Sequence, residues 1–425
     1  MENFDEALLP LPLPRIRNFE MLCFGLFIHY GLYSQLEQGE WIQHIKKKSH
    51  FEYEPLKDTF TARDFDAGDY ARLAKSAGMR YAVLTARHME GFSLYDTMGL
   101  NEYDSLHAPA KRDLVAEFVV ACRREGIIPF LYHTTLDVRW LGKTTWDLDA
   151  SEFRRYLEYL KESVELLCTN YGPIGGFWFD GNWSRPGVDW RLDELYGMIR
   201  SHQPEAMIIN NTGLHKPGEV IHPEIDSATY ENQSGEPMDR RGHDKYVAAE
   251  ICETMNSHWG IARDDYAYKS VADLIKRLAE ARKVGANYLL NIGPEGQGRI
   301  PDLERATLER MGAWTRLYAD ALYEPVPCAV ECSGKDFVLR SGDCLYWFVF
   351  DLETLGHADV TVRSGDELRR TAKGIMEPID TVRWLDDDTR LEFSQSDAGL
   401  SVEFSGYSYG ENRVVRVAEL TASSH

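Results

Sequence analysis

Two hydrophobic periods alternate along the chain from about residue 20 to 320. Short apolar runs at Leu22–Ile28, Arg80–Thr85, Ile127–Tyr132, Ile174–Phe179, Ala206–Ile209 and Ala286–Ile292 read as buried strands. Weaker signals at Ser227–Tyr230 and Tyr246–Cys252 bring the count to eight. Between them lie segments of helical spacing. Asp66–Ala77 carries Tyr70, Leu73, Ala74 and Ala77 on one face and ends at Gly78; Lys111–Glu125 carries Leu114, Phe118, Val119 and Cys122 and ends at Gly126. Ser151–Asn170, with Ser151 as its cap, Trp190–Ser201, Ser270–Val284 and Asp302–Tyr318 follow. Strand and helix in strict alternation predict a parallel α/β fold, and eight units suggest a (β/α)8 TIM-like barrel with its chemistry at the carboxyl ends of the strands. A doubly wound open sheet is the alternative. It usually places a glycine-rich phosphate loop after its first strand. Here that strand runs into His29-Tyr30-Gly31, so the barrel is preferred.

After Tyr323-Glu324-Pro325-Val326-Pro327 the period shortens to two. Phe337–Leu339, Leu345–Phe350, Asp359–Val362, Glu367–Arg370, Thr381–Trp384, Thr389–Phe393, Leu400–Phe404 and Arg413–Glu419 alternate apolar and polar, with turns such as Ser341-Gly342-Asp343 between them. The expected division is a barrel domain over residues 1–325 and an all-β sandwich-like domain over 326–425. Trp384, beside the acidic run Asp386–Asp388, either packs inside that sandwich or marks an interface; a homo-oligomer stays open.

Charge and cysteine usage narrow the partners. The 47 basic and 68 acidic residues leave a net charge of −21, which argues against nucleic acid or an anionic membrane surface. No run reaches the length of apolar residues that a membrane span needs. The acidic start, Met1 to Glu6, lacks the pattern of a secretory signal. Seven cysteines fit no disulfide or zinc framework, so reduced thiols and a cytoplasmic location are expected. Sequons at Asn182, Asn210 and Asn232 fall in the expected pocket loops, where glycans would obstruct a site.

Polar groups gather where the strands end. His29 follows the first, with Glu40-Trp41 in its loop, and Arg87-His88-Met89-Glu90-Gly91 follows the second. Tyr132-His133-Thr134 ends the third, and the aromatic run Gly175–Phe179 stops at Asp180, with Gly181 free to turn the chain away. Asn210-Asn211, Glu231, Glu253 and Asn291 end the remaining four. Each alone has a plain structural reading: Glu253 as the cap of a turn, Asn291 as the residue that orders Ile292-Gly293-Pro294, Trp41 as core. Together they describe a polar cleft of carboxylate, imidazole and indole. Such a cleft suits the splitting of a glycosidic bond, which needs two carboxyl groups in different surroundings. Metal-assisted hydrolysis is the competing reading, but the His-x-His pair usual on the first strand is broken by Gly31, and no H-E-x-x-H occurs.

Several of these blocks resemble the α-L-fucosidases of glycoside hydrolase family 29. They are Phe24–Ser34 with Gly39-Glu40-Trp41, Tyr81–Phe92, Tyr132–Asp137, Trp178–Gly181, Glu253-Thr254 through Trp259-Gly260, and Leu289–Pro294, in that order. The resemblance implies a cofactor-free, metal-free retaining exo-α-L-fucosidase acting on a fucosylated oligosaccharide or glycoconjugate, in a bacterial cytoplasm. It implies Asp180 as nucleophile. His29, Glu40, Trp41, His88, Tyr132 and His133 fall where the family grips sugar hydroxyls, and Trp178 and Trp259 are candidates for the wall against the methyl group. The family normally has two adjacent His and then Asp where this chain has His88-Met89-Glu90, so one hydroxyl contact differs and Met89 makes the pocket drier. For the acid/base, position after the sixth strand selects Glu231, with Glu253 second and Asp226 third. A fucose-binding pseudoenzyme is the alternative from another class. Linkage preference is assigned to the loop Glu231–Asp244, which is expected to be mobile.

Overall fold

The computed structural model describes residues 10–212, 214, 216–233, 244–354 and 368–422. Eight parallel strands close into a barrel in sequence order: β1 (Phe24–Ile28), β2 (Tyr81–Arg87), β3 (Ile128–Thr134), β4 (Gly176–Asp180), β5 (Met207–Asn210), β6 (Ser227–Glu231), β7 (Ala248–Glu253) and β8 (Asn287–Ile292), which pairs back to β1. Both faces of such strands are covered, so they read as continuous apolar runs rather than alternating ones. Alternation is present all the same. Phe27, Tyr81, Val83, Phe130, Tyr132, Trp178, Met207, Ile209, Ala248, Cys252 and Leu289 belong to one buried cluster, and its members on any one strand lie two or four residues apart. That parity fixes which side chains face the barrel interior. Large rings need small neighbours: a Cβ at Gly176 would stand 2.5 Å from the Met207 carbonyl, and one at Gly25 2.4 Å from the Tyr81 ring.

The helices begin where carboxylates cap them. Asp66 accepts from Asp69 N ahead of Ala67–Ser76. Asp113 accepts from Ala116 N, so the next helix starts at Leu114 rather than Lys111. The helix Ala150–Asn170 is capped by Asp149, not Ser151. The Asp149 carboxylate accepts from the backbone N–H groups of Ser151 and Glu152, and Glu152 returns a bond to Asp149 N. A carboxylate at this position also meets the positive end of the helix dipole, which a hydroxyl does less well. Short helices at Pro14–Glu20, Ile42–Ile45, His50–Tyr53 and Ala319–Leu322 span too few turns to leave a readable period.

The chain divides into two compact units, the second formed mainly by Ser270–Ala286 and the chain from Arg310 onward. Its strands make two antiparallel sheets. One has the order Glu331–Cys332, Arg369–Lys373, Gly399–Glu403, Glu392–Ser396. The other runs Ile379–Trp384, Val415–Ala422, Cys344–Phe350, Phe337–Ser341, Val326–Pro327. Residues of both sheets, among them Leu400, Val402, Leu345, Trp347 and Leu420, share one core, which makes this a sandwich. Trp384 belongs to that core: it is fully buried, packs on Phe404 with ring centres 5.1 Å apart, and is covered by Arg416. The strand expected at Asp359–Val362 lies outside the described residues.

Candidate active site

Strand parity carries Asp180 into the barrel mouth, because it shares a face with Gly176 and Trp178. The next residue, Gly181, has φ of +110°, and a Cβ there would stand 2.7 Å from the backbone nitrogen of Leu136. Glycine is therefore needed for the chain to turn away directly after the carboxylate. Three donors reach Asp180: the Trp183 indole N–H at 2.9 Å, the Tyr132 hydroxyl at 3.2 Å and the Asn211 amide at 3.4 Å. Glu231 ends β6 on the inward face. It accepts from the same Asn211 amide nitrogen at 2.6 Å and from the Trp259 indole at 3.2 Å. Asn211 is itself held by the Thr229 hydroxyl, which donates to its oxygen at 2.9 Å. One fixed amide thus spans two carboxyl groups.

Burial pushes Asp180 above the ordinary carboxylate range, opposed by the Trp183 indole, the charge of His88 and the Tyr132 hydroxyl. Burial pushes Glu231 up to about 7, and the charge of Asp180 adds to the rise. Two close carboxyl groups cannot both ionise freely, and the one with more donors gives up its proton first. With three donors against two, Asp180 is the member that loses its proton more readily.

Aromatic rings make the walls. Tyr132 is stacked between Trp178 (5.7 Å, 21°) and His88 (5.4 Å, 21°), and Trp41 lies across from Trp183 at 6.0 Å. His29 pairs its Nδ1 with Asn291 Oδ1 at 2.7 Å, and Asn291 donates onward to the Trp259 carbonyl at 2.6 Å. Burial and His88 hold His29 well below its ordinary pKa, so the ring is neutral. Beneath the floor, Glu250 accepts from the Trp178 indole at 2.7 Å and the Tyr81 hydroxyl at 2.6 Å; burial pushes it up to about 7.

The structure brings His29, Trp41, His88, Tyr132, Trp178, Asp180, Glu231 and Trp259 to one cavity, and separates four other candidates from its lining. His133 has the opposite parity to Tyr132 and points outward to Ser163 and the Thr134 carbonyl. Glu253 has the opposite parity to Cys252; its carboxylate receives the Tyr288 hydroxyl at 2.6 Å and lies 3.3 Å from Lys269. Asp226 precedes β6, at the amino end of the barrel, where Arg15, Arg200 and Lys245 surround it. Glu40 lies behind the lining: its Oε2 accepts the backbone N–H groups of Trp259 and Gly260 and so fixes the loop that carries Trp259. Asn211 and Asn291 were read from the sequence only as members of the polar strand-end set, without a role, and Trp183 and Glu250 were not read as site residues at all. Trp183 and Asn211 are first contacts of the carboxylates, Asn291 braces His29, and Glu250 braces Trp178. Inward parity was the signal available for Asn211, Asn291 and Glu250; Trp183 sits in a short turn after Gly181 that has no period to read. Among the described residues no three His, Cys, Asp or Glu converge as a metal-ligand group. Most of the loop assigned to linkage preference, residues 234–243, lies outside the described residues.

Comparison with known proteins is consistent across sequence and structure. Plasma alpha-L-fucosidase of Rattus norvegicus is 28% identical over 344 residues, 75% of this chain and 72% of that protein. The structure of alpha-L-fucosidase isoenzyme 1 from Paenibacillus thiaminolyticus superimposes with a TM-score of 0.82 at 29% identity, over 97% of this chain and 99% of that one. A Bacteroides thetaiotaomicron alpha-L-fucosidase, solved as a trapped covalent intermediate with 2-fluoro-fucosyl fluoride, shares the fold with a TM-score of 0.81 at 23% identity and 98% coverage of each chain. The alpha-L-fucosidase family model matches residues 13–320. With that span the chain belongs to the α-L-fucosidases of glycoside hydrolase family 29.

Proposed function

We propose that this chain is a retaining exo-α-L-fucosidase that works by double displacement on terminal α-L-fucosyl residues of a glycan. The observation that carries the reading is the Asn211 amide. Its two hydrogen bonds, laid end to end, bring Asp180 Oδ1 and Glu231 Oε2 within about 6 Å of each other. A retaining pair stands at roughly 5–5.5 Å, whereas an inverting pair needs about 6.5–9.5 Å to admit a water. In the first step an Asp180 oxygen bonds to the anomeric carbon while the glycosidic C–O bond breaks, and Glu231 gives its proton to the leaving oxygen. In the second, Glu231 takes a proton from water, the water oxygen bonds to the anomeric carbon, and the bond to Asp180 breaks. The covalent intermediate trapped on the Bacteroides enzyme is the same kind of species. His29, His88 and Trp41 meet the sugar hydroxyls, and Trp178 and Trp259 form the apolar wall. Among the described residues no cysteine forms a disulfide, and Asn182 and Asn210 are buried, which supports a reducing, cytoplasmic setting without glycans at those sequons.

The test is chemical rescue. On an activated aryl fucoside, Glu231→Ala regains activity with added azide, while Asp180→Gly is labelled by no 2-fluoro inactivator. Rescue of Glu253→Ala, with Glu231→Ala behaving as wild type, overturns the assignment. Fucose binding without hydrolysis by wild type, unchanged in Asp180→Asn, favours a pseudoenzyme.

A further inference from the structure

Behind the His88 ring lies a buried carboxylate that the reaction above does not use. We propose that Glu90 is a positioning residue: it takes the Nδ1–H of His88 and so turns Nε2 toward a hydroxyl of the bound sugar. The proposal rests on the fucosidase reading for the identity of that sugar.

The backbone sets the geometry. The N–H of Gly91 donates to the His88 carbonyl at 3.0 Å, which closes a turn over His88-Met89-Glu90-Gly91. Gly91 takes φ of +78° at its end. The turn folds Glu90 back beneath the ring of His88, and Glu90 Oε2 lies 3.6 Å from His88 Nδ1. Glu90 is 1% exposed and His88 6%. Among the described residues neither Glu90 oxygen has a hydrogen-bond partner, and neither has His88 Nδ1. Two buried, unpartnered groups of opposite need at this distance satisfy each other after a shift of a few tenths of an ångström.

Other neighbours leave the ring few alternatives. Tyr132 stacks on one face of His88, and the rings of Tyr33 and His29 meet it at steep angles, at 5.4 and 5.6 Å. The imidazole lines the cavity with the rest of its edge. Gly31 makes room for the carboxylate. Its φ of −174° is extended backbone that any residue adopts, yet a Cβ there would stand 2.5 Å from Glu90 Oε1 and 2.7 Å from the Tyr33 ring. The glycine is needed for space, not for conformation. With Nδ1–H given to Glu90, the ring holds its Nε2 edge toward the cavity, where a sugar hydroxyl can satisfy it. The tautomer is then set from behind the ring, as outer partners set ligating histidines elsewhere.

A double-mutant cycle with 4-nitrophenyl α-L-fucoside tests this, with Glu90→Met as the variant that lacks an acceptor and Glu90→Gln as an isosteric second variant should the first fail to fold. In the wild-type background the substitution lowers kcat/KM by about tenfold. In the His88→Ala background it changes kcat/KM by less than about twofold, because the residue it acts through is gone. Nitrogen-15 NMR of wild type shows His88 protonated at Nδ1, and that proton is lost or delocalised in Glu90→Met. Equal losses in both backgrounds, or an Nε2–H tautomer in wild type, overturn the proposal. If wild type cleaves no aryl fucoside, the fucosidase reading fails instead, and the NMR tautomer still decides the role of Glu90.

Discussion

The Asn211 amide touches both carboxyl groups but treats them unequally, at 2.6 Å to Glu231 and 3.4 Å to Asp180. Beyond that shared amide, Asp180 accepts from two donors, the Trp183 indole and the Tyr132 hydroxyl, and Glu231 from one, the Trp259 indole, which favours charge on Asp180. Trp183→Phe removes one of the two on Asp180. The expected outcome is an acid limb of the kcat/KM profile displaced to higher pH, and a loss of about tenfold at the optimum, read with an aryl fucoside. Glu231 makes a separate statement about stability. Its folded pKa, about 7, lies above the unfolded value near 4.3. The buried group is therefore best tolerated below the unfolded value, and stability falls as pH rises through about 7, where the proton is lost in the fold. Glu231→Gln never ionises. Its Tm should match wild type near pH 4 and exceed it at pH 8, with activity lost throughout; equal Tm at both pH values would count against the elevated pKa. Chain order made Asp180 and Glu231 legible as strand-end acids. It did not show Trp183, whose role follows from a turn that only the folded loop defines.

On the scale of strands, one rule sorted the candidates. Along β3, β6 and β7 the cluster residues Tyr132 and Cys252, and Glu231 on the inward face, alternate with His133, Tyr230 and Glu253. His133 and Glu253 look like site residues when read by type and outward ones when read by parity. That signal was in the sequence, since Trp178 and Asp180 already define the inward phase of β4 and each apolar run repeats it. Register between strands was not, because it depends on pairings between adjacent strands such as Tyr132 with Trp178. Asp226 shows the same limit from the other end of a strand. Burial alone would raise its pKa, but Arg15, Lys245 and Arg200 hold it below the ordinary range, and it also accepts the backbone N–H of Ile208. It fastens β5, β6 and the Pro14–Glu20 helix at the amino end. Asp226→Asn should destabilise the protein by about 3–5 kcal/mol in urea unfolding, because three cations lose one buried partner. kcat per folded molecule should stay unchanged; a selective loss of kcat would return Asp226 to the list of acid/base candidates.

At the level of the whole chain, 425 residues carry seven cysteines, none in a disulfide among the described residues, and Cys23, Cys122, Cys168 and Cys252 are buried. No covalent cross-link contributes, so the Tm should be the same with and without dithiothreitol; a drop on reduction would reveal a disulfide. By itself, the sequence determined the eight-fold alternation, the change of period near Pro325, and the residue types at the strand ends. These are local properties: a buried parallel strand needs an unbroken apolar run, a helix needs its 3.6 spacing, and a glycine must follow an acid where the chain reverses. The family blocks are legible for the same reason. Only the tertiary structure decided that Asp180 and Glu231, on strands that are not neighbours, share one amide, and that burial lifts one of them to about 7. Distance across a barrel and the loss of water around a carboxyl group are set by every strand at once, so no segment of sequence carries them.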